Sequence, residues 1–224
     1  MEIIIGIDDA GRGPVIGPMV LAGVLIRKED EAILKEWDVK DSKKLTPEKR
    51  SEIEKKLKKK FVYFTEITSA EEIDSRTNMG INLNRIEAIK SASIINHLIK
   101  NLENSDKVKV IIDCPSTNTE AWRDVVLGYV DKKEAIELSC EHKADVNHLS
   151  CSAASIIAKT ARDSEIEKIK KKIGIDFGSG YCADPLTCDF LEKHLEEFKD
   201  SGIIRKTWDT FERAVAKNEQ KRLF

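Results

Sequence analysis

A chain of 224 residues with 41% apolar and 35% charged side chains has the make-up of a folded domain with a buried core and a solvated surface. No apolar run approaches the ~18–20 residues needed to span a bilayer, which excludes a helical channel or transporter. The net charge of −2 excludes a polyanion binder that works by bulk charge and leaves that role to local basic patches. The start "MEIII" lacks the basic region and long apolar segment of a secretory leader, and the five cysteines include no CxxC pair, so free thiols in a reducing, cytoplasmic setting are expected.

In chain order, the β-branched residues of "EIIIGID" predict a buried strand, and "MVLAGVLI" predicts a second after a tight turn. Thr46 as N-cap, Pro47 in the first helical position and a lysine-rich end predict a helix to Lys60. "FVYFTEI" (61–67) reads as a third strand. From Leu83 to Leu102, apolar residues at 86, 89, 92, 95, 99 and 102 keep helical spacing and predict a long amphipathic helix. "VKVIIDC" (108–114) is a buried strand ending in a carboxylate, and "AIELSC" (135–140) is another, ending just before Glu141. Helices follow at 152–172, in "DPLTCDFLEKHLEEF" and in "TWDTFERAVAKN", with the glycine-rich "GIDFGSGY" between the first two. This order predicts an α/β domain with a mixed sheet over residues 1–175 and a helical extension over 176–224.

Carboxylates fall at the ends of three predicted strands: Asp8 and Asp9, then Asp113, then Glu141 and Asp145. Ligands of open α/β sheets sit outside strand ends. Clustered carboxylates repel one another and lose hydration, so a cation must neutralise them, and hard oxygen ligands select Mg²⁺ or Mn²⁺. Two such ions would stabilise the attacking and leaving oxygens of a phosphoryl displacement. Any one of these acids alone could simply cap a turn. Neighbouring side chains of a regular strand point to opposite faces, so Asp8 and Asp9 are expected where the first strand is ending, with Ala10 and Gly11 providing a permissive backbone. A dinucleotide-binding reading of Gly11-x-Gly13 fails, because the spacing to Gly17 is one residue too long and a strand follows where a helix should start.

The motifs "GIDDAGRGPVIGPMV", "DSKKL", "IIDCPSTN", "EHKAD", "SAASIIAK" and "GSGY…DP", in this order, resemble ribonuclease HII over residues 3–208. The resemblance implies a ribonuclease H-like mixed five-stranded sheet flanked by helices. It also implies hydrolysis of the phosphodiester 5′ of a ribonucleotide, in RNA–DNA hybrids and in duplex DNA with embedded ribonucleotides, leaving a 3′-hydroxyl and a 5′-phosphate. By motif, Asp8, Asp9, Asp113 and Asp145 are the catalytic, metal-binding carboxylates for two Mg²⁺ or Mn²⁺ ions, and Glu141 stands outside the set. The loop of Gly11, Arg12 and Gly13 is assigned, with Tyr181, to the 2′-hydroxyl that separates RNA from DNA. Gly11 and Gly13 also fit a turn that needs positive φ. Lys43, Lys44, His142 and Lys143 are expected as phosphate neighbours, although a buried hydrogen-bonded histidine is the other role open to His142. The lysines at 168 and 170–172 read as a solvated face.

Ribonuclease HIII usually carries an added N-terminal domain and a different residue between the two glycines, so HII is the nearer resemblance; a monomer is expected. One departure matters: the family has Asp-Glu where this chain has Asp8-Asp9, so a catalytically impaired hybrid-binding protein is the alternative function. A second departure is "DVNHLSCSAAS", where the family commonly has a tyrosine and a proline near His148 and Leu149. The tail "NEQKRLF" matches the start of a sliding-clamp binding box in Gln220, Leu223 and Phe224 but stops before the paired aromatics, which leaves clamp binding and a frayed terminus both open.

Overall fold

The computed structural model describes residues 2–39, 45–102 and 107–222. Lys43, Lys44, Leu223 and Phe224 therefore lie outside the described residues.

The elements are β1 (Ile3–Ala10), β2 (Met19–Arg27), α1 (Glu31–Glu36), α2 (Pro47–Lys60), β3 (Val62–Thr68), α3 (Ala70–Asn78), α4 (Leu83–Ile99), β4 (Val108–Asp113), α5 (Thr119–Leu127), β5 (Ile136–Glu141), α6 (Ala144–Asn147), α7 (Leu149–Ile173), α8 (Pro185–Phe198) and α9 (Asp209–Arg222). Every predicted strand is present. The predicted N-cap holds, since the Thr46 hydroxyl accepts from Lys49 N at 3.3 Å and Pro47 opens α2. Sequence periodicity gave no sign of α1, α3, α5 or α6, each too short to show a full apolar stripe. α7 starts at Leu149, ahead of the predicted 152, because Ser152 is already inside its first turn.

The strands form a five-stranded sheet in the order β3-β2-β1-β4-β5. β1 runs antiparallel to β2 and parallel to β4, which in turn runs parallel to β5, so the sheet is mixed as expected. The early residues of β1 and β2 are buried on both faces, which accounts for their unbroken apolar runs. Two glycines let helices approach the sheet closely. A Cβ on Gly6 would lie 2.2 Å from the Ser150 carbonyl carbon of α7, and one on Gly23 would lie 2.3 Å from Ile94 Cγ2 of α4. Gly6 belongs to the same face of β1 as Asp8, whereas Gly23 pairs with Ile7 on the face that carries Asp9. α7 thus covers the Asp8 face and α4 the Asp9 face.

Asp8 and Asp9, expected where the strand ends, instead lie inside β1, paired in register with Ala22 and Leu21. The strand ends only with respect to β4, whose last partner pair is Ile7 with Ile112. β2 is long enough to keep β1 extended beyond that point, so no break in the backbone occurs.

The chain divides into two compact units. The first comprises Met1–Ala10, Val20–Glu66 and Asn84–Ala161, with a core in which Ile4, Val24 and Ile26 meet Ala154 and Ile157 of α7. The second comprises Gly11–Met19, Ile67–Leu83 and Arg162–Phe224. It takes in more than the expected 176–224 because Val15, Ile16 and Ile166 share one core with Phe177, Phe190 and Leu195.

Candidate catalytic site

In the first unit, Asp8 is 5% exposed and faces α7. Its Oδ1 accepts from the Asp9 backbone N–H at 2.8 Å, and Ser155 of α7 hydrogen-bonds its carboxyl. Burial pushes this carboxyl well above the ordinary aspartate range, the charge of Asp9 adds to the rise, Ser155 offsets part of it, and Asp113 raises it further. The site therefore concentrates negative charge where water cannot disperse it.

Asp113, the last residue of β4, follows Ile112, the partner of Ile7, and so shares the face of Asp8. Its Oδ1 accepts from Ala144 N at 2.9 Å, which ties the end of β4 to the first turn of α6. That turn carries Asp145, 3% exposed, whose backbone carbonyl accepts from the Ser152 hydroxyl. The chain enters α6 through Lys143 in the left-handed region, φ 59°. Asp9 takes the opposite face. It lines a recess with Asp8, Asp113, Glu87, Ser91 and Trp122. Glu87 and Ser91 were missed at the sequence level; the available signal was a polar pair four residues apart on an otherwise apolar inward stripe of a predicted helix.

Glu141 is held elsewhere: it accepts from Ser139 Oγ at 2.7 Å and pairs with His148 Nε2 at 2.8 Å, and the bond to His148 leads the effects that hold its carboxyl low. The buried role left open for His142 is corrected. The ring is exposed, with Nδ1 3.2 Å from the Cys114 carbonyl oxygen, because it sits on the turn between β5 and α6 and not under a helix. Lys143 is exposed as well. Lys170 is engaged with Glu167 and Asp176, in keeping with a solvated face.

In the second unit, the loop after β1 is built around two arginines. Arg205 is fully buried and donates to the carbonyls of Gly11 at 2.6 Å, Arg12 at 2.8 Å and Gly17 at 3.1 Å. Arg162 is 3% exposed, donates to the Ser179 carbonyl at 2.9 Å and stacks on Tyr181 with 5.0 Å from its guanidinium carbon to the ring centre. Gly11 has φ 86°, and a Cβ there would lie 2.4 Å from Arg162 Nε, so both conformation and space demand glycine. Gly13 does not adopt positive φ; it is exposed, and a Cβ would meet only Tyr181, at 3.7 Å. Tyr181 is 40% exposed, with one side on Arg162 and the rest open to a partner. Neither arginine was singled out from sequence. Arg162 lies in "AKTARDS" inside a helical run and Arg205 in "IIRKTW", and nothing local announces a long-range contact.

Residues 5–211 match the family model described as Ribonuclease HII. The chain belongs to the ribonuclease HII family. Ribonuclease HII of Methanocaldococcus jannaschii is 43% identical, over 99% of this chain and 98% of that relative. The crystal structure of the ribonuclease H2 from Pyrococcus horikoshii superposes with a TM-score of 0.83 at 35% identity, covering 98% of this chain and 99% of the other. The ribonuclease HII in a structure of the PCNA:RNase HII complex from Archaeoglobus fulgidus superposes with a TM-score of 0.80 at 34% identity, covering 92% and 95%. The five-stranded mixed sheet is thus the ribonuclease H-like fold, and the chain is a ribonuclease H, an endonuclease that hydrolyses RNA within RNA–DNA hybrids. Among the described residues no helix is long and apolar enough to cross a membrane.

Proposed function

We propose that this ribonuclease HII cuts the phosphodiester 5′ of a ribonucleotide, in RNA–DNA hybrids and in DNA duplexes with embedded ribonucleotides, and leaves a 3′-hydroxyl and a 5′-phosphate. The observation that carries this reading is the convergence of Asp8 and Asp113 on one face of the sheet, with the turn bearing Asp145 tied to Asp113.

The donor set suits Mg²⁺ or Mn²⁺: all four aspartates offer hard oxygen, and the Asp8 carboxyl is raised first by burial and then by the charges of Asp9 and Asp113 beside it. Among the described residues, no three or more acidic, histidine or cysteine side chains are grouped so that they could hold a metal ion by themselves. When bound, a pair of such ions supplies an activated water and charge stabilisation at the departing 3′ oxygen. Asp8 and Asp113 hold the central position, Asp145 and Asp9 flank it, and Ser155 keeps the Asp8 carboxyl in one orientation. Gly11, Arg12, Gly13 and Tyr181 read the 2′-hydroxyl and the sugar, while Lys43, Lys44, His142 and Lys143 approach phosphates. The full chain acts as a monomer. A sliding clamp is a further proposed partner, supported by the PCNA complex of the Archaeoglobus relative and by the partial box at Gln220, Leu223 and Phe224.

The test is incubation of a duplex bearing one ribonucleotide with Mg²⁺ or with Mn²⁺. Scission on the 5′ side of the ribonucleotide is expected. Tight binding with no scission under either metal would leave the alternative, a hybrid-binding protein impaired by its short Asp9.

A further inference from the structure

The recess on the α4 side of β1 contains polar groups to which the proposed reaction gives no part. Its water-sized interior is about 10 Å³, room for roughly one water molecule. Asp9 enters it from β1 beside its cross-strand partner Leu21, and Glu87 and Ser91 enter from α4. On α4, Glu87, Ser91, Ile94 and Leu98 form one inward stripe, the last two packing on Gly23 of β2. Trp122 closes the side, fixed by its indole N–H, which donates to the Asn84 carbonyl at 2.9 Å. Glu87 is 2% exposed and Ser91 is fully buried. The Ser91 hydroxyl makes no hydrogen bond to any described residue, although buried hydroxyls are as a rule hydrogen-bonded. A buried hydroxyl and a buried carboxylate, one helical turn apart beside a space for one water, form a built polar site and not an accident of packing.

We propose that Glu87 and Ser91 are positioning residues for Asp9: they hold one water in the recess, and this water fixes the Asp9 carboxylate for cation binding. The inference rests on the reading of Asp9 as part of the cation site. Asp8 and Asp113 also reach this recess, but their carboxyls are oriented by Ser155 and by Ala144 N on the α7 side, whereas Asp9, one carbon shorter than the glutamate expected from the resemblance, belongs to the other face of β1, where the inward stripe of α4 carries Glu87 and Ser91. A bridging water extends the reach of the short side chain from behind, as groups behind a metal ligand commonly do.

The experiment measures Mn²⁺ binding to the full chain by calorimetry, together with metal-free thermal stability, for Ser91→Ala and Glu87→Gln, each in the parent and in the Asp9→Glu background. Ser91→Ala removes a single buried oxygen and keeps the shape, so it carries the test even if Glu87→Gln proves unstable. In the parent, each substitution is expected to weaken Mn²⁺ binding about tenfold, at the low end of effects from groups behind a ligand. In Asp9→Glu, whose longer side chain fills the recess and displaces the water, the same substitutions should have no effect. A purely structural role would lower stability equally in both backgrounds and leave no such difference. Unchanged Mn²⁺ binding in the parent, or equal losses in both backgrounds, would overturn the proposal. The underlying reading is separated by Asp8→Asn and Asp9→Ala: if these too leave Mn²⁺ binding intact, the cation site itself has been misassigned.

Discussion

The guanidinium of Arg162 lies over the ring of Tyr181 at 5.0 Å, and the same arginine donates to the carbonyl of Ser179, two residues before that tyrosine. The ring is thus held by a planar cation while the residue as a whole remains 40% exposed. Tyr181→Ala is expected to lower cleavage at a single ribonucleotide more than along a continuous hybrid, because a hybrid offers many alternative registers and a lone ribonucleotide only one. Arg162→Met should shift selectivity in the same direction by a smaller factor. Rates on the two substrates, compared within each variant, decide the matter: equal losses on both would make the pair structural.

Asp8→Asn should abolish cleavage while hybrid binding survives, and it should also make the metal-free protein more stable. The folded carboxyl of Asp8 is raised by burial and by its acidic neighbours. Stability is therefore lost as the pH rises above the ordinary aspartate range, where the unfolded chain ionises while the folded one keeps its proton, and the loss is complete once the pH exceeds the raised value; the neutral amide removes it. The gain should be present near neutral pH in chelator and fade as the pH falls towards the ordinary aspartate range near ~3.9, where both states carry the proton. In a chain of this length each kcal/mol moves Tm by about 2–4 °C, so a rise of a few degrees is expected by calorimetry. A fall in Tm at neutral pH would contradict the electrostatic account.

Asp9→Glu should raise the Mg²⁺-dependent rate, with a smaller gain in Mn²⁺, whose coordination tolerates more distortion. The ladder pair of Asp9 with Leu21 is regular, so the backbone has not moved to compensate for the shorter acid. The added carbon extends the reach by roughly 1.5 Å, and misplacement by about 1 Å can cost on the order of a hundredfold where a group positions reacting atoms. Steady-state rates of parent and variant with each metal test this; a variant slower than the parent in Mg²⁺ would mean that the site is adapted to aspartate.

Affinity for a hybrid should fall steeply as salt is added, because the net charge of −2 leaves phosphate contacts by local lysines as the source of binding. Titration of a catalytically silent Asp8→Asn variant with labelled hybrid at several salt concentrations measures the slope. A flat response would remove the basic-patch contribution.

Clamp binding should depend on the end of the chain. Gln220 is exposed near the end of α9. Pull-down by the cognate clamp is expected for the parent and lost in a Gln220→Ala, Phe224→Ala variant. Equal recovery of both proteins would dissociate the tail from the interaction.

Much of this architecture was legible in the chain because its central strands are buried on both faces and write themselves as unbroken aliphatic runs. The acids proposed to hold metal were picked out by motif; the structure places Asp8 and Asp9 within β1, Asp113 at the end of β4 and Asp145 in the turn of α6 after β5. What escaped was of two physical kinds. The backbone path at Asp8 and Asp9 needs no break, because a regular strand turns Asp8 to the face covered by α7 and Asp9 to the face covered by α4. Arg162, Arg205, Glu87 and Ser91 escaped because their meaning lies in contacts distant along the chain, such as Arg205 with Gly11, which no local spacing encodes.

Arg205 has one further consequence. A rigid fork of donors buried beneath a loop, and satisfied by three of that loop's own carbonyls, works as an internal mould. Ordering a flexible loop on binding would draw on affinity at roughly 1–2 kcal/mol per residue for the backbone alone. Here that ordering is complete when the chain folds. On the proposed reading, the loop meets the sugar as a preset gauge and not as a hand that closes: selectivity for ribose is a property of the free enzyme, fixed before any duplex arrives, and a deoxyribonucleotide is passed over because it lacks the hydroxyl that the preset loop is there to engage.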